Sequence, residues 1–168
     1  MVLGLSLSAF TTLHVVISLI GIASGLVVLY GMLASQRFPG WTALFLATTV
    51  LTSVTGLLFP FSSVTPAIIV AVLSLVLLTV ALLALYVFQL AGGWRWVYVT
   101  TALASLYLNA FVGVVQAFQK LAFLQPLAPT QSEPPFAAAQ LAVLAIFVGL
   151  GALAVRRFRP AGGVGAVG

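Results

Sequence analysis

"WRWVYVTTALASLYLNAFVGVVQAFQK", residues 94–120, decides the fold. Arg95 and Lys120 are its only charges, and everything between them is uncharged. A helix needs about 20 mostly apolar residues to cross the hydrocarbon core of a bilayer. The stretch therefore predicts a membrane-crossing helix over about 96–118. It is not uniformly apolar. Ser105, Asn109, Gly113, Gln116 and Lys120 follow one another three or four residues apart, which puts them on one helical face. Side-chain amides facing lipid would be left unpaired at a cost of several kcal/mol. That face is expected to point into a bundle or toward a protein partner.

The rest of the chain has the same character. Of its 168 residues 63% are hydrophobic and 4% are charged, where a soluble domain carries roughly 25% charged residues. Such a surface suits lipid rather than water. The prolines fall between the apolar runs and mark their ends. Helices are predicted over about 8–34, 41–59, 67–90, 96–118 and 135–155. "SQRFPG" (35–40), "PFSSVTP" (60–66) and "AGGWR" (91–95) are turns, and a longer connection crosses 119–134. The expected fold is an all-α integral membrane bundle of five transmembrane helices. Residues 1–159 form that domain, and 160–168 form a flexible glycine-rich tail. The N-terminus lacks the positive segment of a signal peptide, so the first helix is expected to be retained.

Five helices place Arg37, Arg95, Arg156, Arg157 and Arg159 on one side, and Lys120 and Glu133 on the other. Basic residues concentrate on the cytoplasmic side of membrane proteins. The expected orientation has the N-terminus outside and the C-terminus in the cytoplasm. Trp41, Trp94 and Trp96 fall at the cytoplasmic ends, where the headgroup zone favours them. The scattered basic residues read as orientation, and no nucleic-acid partner is expected.

An internal correspondence links "SLIGIASGLVVLY" (18–30) with "SLVLLTVALLALY" (74–86), and "ATTVLTS" (47–53) with "VTTALAS" (99–105). It predicts two helical hairpins in the same orientation, plus a fifth helix, a plan known among transporters.

The first helix carries His14, Ser18, Gly21 and Gly25 along one face. Gly21 and Gly25 form a GxxxG, which admits a close helix neighbour within the bundle or in a homodimer. Gly113 is a third small packing position. With the expected topology, His14, Asn109, Gln116, Lys120, Glu133 and Gln140 all lie in the outer half. These six are the candidate ligand-binding residues. Glu133 is the only acidic residue, in the stiff stretch "APTQSEPPF" (128–136). It is either a lid residue reaching Lys120 or a solvated surface group.

Several chemistries are excluded. Without cysteine there is no disulfide, thiolate metal site, iron–sulfur cluster or cysteine nucleophile. One histidine and one carboxylate make a poor acid–base set, and no metal or cofactor site is expected. The expected function is non-enzymatic binding of a small ligand or a membrane-protein partner through an outer polar pocket. The alternative is a small permease or channel; an enzyme acting on a lipid or quinone fits less well. The runs "TALFLATTVLTSVTGLLFPF" (42–61), 94–120 and "LAPTQSEPPF" (127–136) resemble a group of small bacterial multi-pass inner-membrane proteins with no assigned activity. The resemblance implies residence in the cytoplasmic membrane of a bacterium and no further role.

Overall fold

The computed structural model describes residues 2, 4–60 and 65–160. Five α-helices follow one another: α1 (Leu7–Leu33), α2 (Pro39–Leu57), α3 (Pro66–Leu82), α4 (Trp94–Lys120) and α5 (Pro134–Arg157). No strand occurs among the described residues. All five helices are long and apolar enough to cross a membrane, α3 together with a π-helical turn, Leu83–Val87, that extends it. The tail beyond Pro160 and residues 61–64 of the predicted second turn lie outside the described residues.

The prolines act as starters. Pro39, Pro66 and Pro134 each open a helix, where the missing N–H has no partner to lose. α1 begins at Ser6, whose side chain accepts a hydrogen bond from the Ala9 N–H at 3.2 Å. Two features depart from the sequence reading. The third apolar run does not stay α-helical to residue 90: it widens into the π turn and ends at Gln89 and Leu90, both with positive φ. The long connection contains a short 3-10 turn, Gln125–Leu127.

α4 is the hub and packs against each of the other four helices. Both α1 and α5 run antiparallel to it: Ser18 meets Asn109 and Gly25 meets Leu106, while Phe136 meets Phe118 and Val155 meets Arg95. Gly25 shows why α1 comes so close. A Cβ there would lie 2.5 Å from Leu106 Cδ1 and 2.9 Å from the Phe45 ring. The GxxxG thus serves packing inside this bundle, against α2 and α4. Phe45, Leu78, Ala81, Val99, Ala102 and Leu106 fill the bundle centre. Buried hydroxyls there do not need distant partners. Thr49, Ser53 and Ser24 each donate to the carbonyl four residues earlier, at 2.6–3.0 Å.

α5 is peripheral; Ala154 is its only buried residue. It is held along α4 by edge-on Phe118–Phe136 rings at one end, 5.5 Å between centroids. At the other end Arg95 Nη1 donates to the Val155 carbonyl at 3.0 Å and to the Phe158 carbonyl. These are carbonyls at the α5 C-terminus, where a cation also meets the negative end of the helix dipole.

Candidate functional site

One end of the bundle is not filled. Between α1, α2, α3 and α4 lies a cavity of ≈ 380 Å³, within the range that small-molecule sites occupy. It runs from Lys120, at the last turn of α4, down to Asn109. Eleven residues of helix separate them, about 16 Å at 1.5 Å per residue. Gly56 and Gly113 help to create the space. A Cβ on Gly113 would meet Ile22 Cδ1 at 3.6 Å, and one on Gly56 would meet His14 Cε1 at 3.6 Å. Those are ordinary contacts. Gly113 therefore does not force close packing as Gly25 does; it leaves room.

Most of the wall is apolar, including Val15, Leu19, Ile22, Val70 and Val112. Polar groups stand at the mouth and floor. His14 Nδ1 is 2.7 Å from Thr55 Oγ1. The Thr55 hydroxyl donates to the Leu51 carbonyl at 2.7 Å, so its oxygen accepts from His14 Nδ1–H. That choice leaves Nε2 of the neutral ring as an acceptor. The ring is also fixed by Phe59, edge-on at 5.3 Å. At the floor Asn109 Nδ2 donates to the Ser18 carbonyl at a long 3.4 Å. The same amide nitrogen would lie 3.1 Å from a Cβ on Gly21, so Gly21 makes space for it. Gln116 and Lys120 complete the polar lining.

Four of the six candidate residues, His14, Asn109, Gln116 and Lys120, thus line one cavity. Glu133 and Gln140 do not. Gln140 sits between α4 and α5, where Nε2 donates to the Phe111 carbonyl at 3.2 Å and Oε1 is buried without a partner. Glu133 turns into its own loop. Its carboxylate accepts from the Thr130 N–H at 3.1 Å, the Thr130 hydroxyl at 2.8 Å and the Ser132 N–H at 3.0 Å. No ion pair joins Glu133 to Lys120 among the described residues. Desolvation, the largest single influence, pushes the Glu133 carboxyl up, but the hydrogen bonds together outweigh it and hold the group below the ordinary carboxylate value.

Two contributors were not singled out from sequence as site residues. Thr55 fixes the histidine, and its place three residues after Thr52 on α2 was the available signal. Ser74 lines the floor opposite Ser18, its counterpart in the internal correspondence.

Chemically, the cavity offers donors from Gln116 and Lys120, an acceptor at His14, and apolar walls between mouth and floor. No group of three or more His, Cys, Asp or Glu side chains suited to a metal ion occurs among the described residues. Comparisons with family models, with curated proteins and with solved structures each return no match, so the cavity itself carries the functional reading.

Proposed function

We propose that this chain is a non-enzymatic binding protein of a bacterial cytoplasmic membrane. It takes a small amphipathic ligand, apolar along most of its length and polar at the head, into the cavity between α1 and α4. The carrying observation is the grouping of His14, Asn109, Gln116 and Lys120 along a single cavity with mostly apolar walls. Polar side chains in a membrane bundle need partners, and here the bundle leaves ligand-sized space beside them.

In this reading the open end faces outward and the arginine-rich end faces the cytoplasm, as charge placement favours. The bilayer is the immediate environment, and nucleic acid has no part. A permease is the second reading. The layer of Phe45, Leu78 and Leu106 below the cavity favours retention over passage. A membrane-protein partner or second copy has the exposed face of α5 available, since that helix packs mainly along α4 and buries only Ala154 fully.

Native mass spectrometry from mild detergent tests the proposal, with wild type beside Asn109→Leu. A discrete non-detergent mass on the wild type that falls away in the variant is expected. A bare protein of equal stability in both samples would remove the binding reading. The cysteine-free sequence permits a test of orientation as well. A cysteine at Thr130 should react with an impermeant thiol reagent outside intact cells, and one at Gln36 should not. The reverse pattern would invert the topology.

A further inference from the structure

A second cavity, of ≈ 250 Å³, opens at the opposite end of the bundle, between α1, α2, the π turn and α4. Its polar lining is Gln36, Arg37, Thr42, Tyr86, Gln89 and Tyr98. Guanidinium, amide and phenol groups all supply N–H or O–H donors. No side-chain carboxylate is available to them. The chain's one acid, Glu133, is at the other end and tied into its own loop. Arg37 is exposed at the rim of this cavity, whereas Arg95, the partly buried arginine of this end, is committed to the α5 carbonyls. Arg37 therefore brings an uncompensated cation to a concave site.

Local backbone geometry presents the remaining groups. The π turn at Leu83–Val87 changes the helical register just before the chain leaves α3. Gln89 and Leu90 then adopt φ of 48° and 61°, a region that non-glycine residues rarely occupy. Leu85, Tyr86 and Gln89, on this segment, all line the same cavity. Single π turns inside helices recur at functional sites. The cavity also has an apolar side, Val28, Met32 and Leu85. Trp41 and Trp96 are exposed at the same end, the pattern of a helix end at headgroup depth.

We propose that this cavity binds the phosphate of an anionic phospholipid, with the Arg37 fork on the phosphate oxygens, Tyr86 and Gln89 as further donors, and the lipid's glycerol and upper chain on the apolar side. A planar guanidinium matches phosphate by two parallel hydrogen bonds, and the bilayer supplies the ligand at the right depth. The site is separate from the cavity at the other end, and neither proposal depends on the other.

The test is lipid retention by the full-length protein released from nanodiscs containing phosphatidylglycerol or phosphatidylcholine, read by native mass spectrometry. Wild type should keep one phosphatidylglycerol in preference to phosphatidylcholine. Arg37→Gln should weaken that retention about tenfold, the scale of one charge-assisted hydrogen-bonded contact, with Arg37→Lys between them. Arg156→Gln, which removes equal charge at the same end from a residue that does not line the cavity, should retain the lipid. Tyr86→Phe, the gentler change, should weaken retention a few-fold and carries the test if Arg37→Gln unfolds. Equal losses in Arg37→Gln and Arg156→Gln would overturn the proposal, leaving only diffuse surface charge. Arg37-dependent binding of inorganic phosphate without any lipid preference would overturn it as well.

Discussion

The His14 ring and the Thr55 hydroxyl meet at 2.7 Å across α1 and α2, and this one contact sets what the cavity mouth presents. The Thr55 hydroxyl donates its own hydrogen bond to the Leu51 carbonyl. The histidine must then donate from Nδ1, and Nε2 is left to accept.

Thr55→Val keeps the shape of the side chain and removes the acceptor. The His14 N–H then loses its protein partner, at a cost of about 1–3 kcal/mol. Thr55→Ser should restore most of it. Unfolding of both variants in mild detergent checks this. Equal stability of Thr55→Val and wild type would mean that the bond does not hold the ring.

Arg95 should prove structural as well as topological. Arg95→Met removes its bonds to the Val155 and Phe158 carbonyls and a cation from the α5 C-terminus. A loss of about 2 kcal/mol is expected, confined to the docking of that helix end. Hydrogen exchange should rise over 154–158 and stay unchanged in α1 and α2. Lysine should restore only part, since it lacks the planar fork.

The loop around Glu133 should respond to acid. Its carboxyl has a folded-state pKa below the unfolded one: desolvation raises it, but the hydrogen bonds of its loop together outweigh that effect. The ordering it provides is therefore complete above the ordinary carboxylate value and is lost as pH falls through the lower, folded value. Protection of the Thr130 and Ser132 amides should follow that course. In Glu133→Gln the protection should be weak at every pH.

The helices, and their ends apart from that of α3, were legible because hydropathy and proline placement act locally. Neither depends on which helices become neighbours. The stripe from Ser105 to Lys120 was legible for the same reason: one helical face is a matter of spacing. What spacing does not reveal is the space between helices. Gly25 and Gly113 look alike in sequence, yet one is pressed between Leu106 and Phe45 while the other borders a cavity. Gln140 shares the expected depth of Gln116 but sits at the α4–α5 seam. The sequence leaves Glu133 either reaching Lys120 or solvated at the surface. Three donors, one or three residues back along its own loop, satisfy it first, as short-range partners on a stiff turn do. The π turn left no signal in a run of apolar residues.

The most direct measurement uses the volume of the cavity. Gly113→Ala adds a methyl group in ordinary contact with Ile22, whereas Gly113→Leu projects into the space. Each protein would be purified in mild detergent, extracted with organic solvent, and its co-purifying molecules quantified by mass spectrometry. A compound carried by wild type and Gly113→Ala, and depleted about tenfold or more in an equally stable Gly113→Leu, is the predicted result. The same compounds at the same occupancy in all three would contradict a ligand in this cavity.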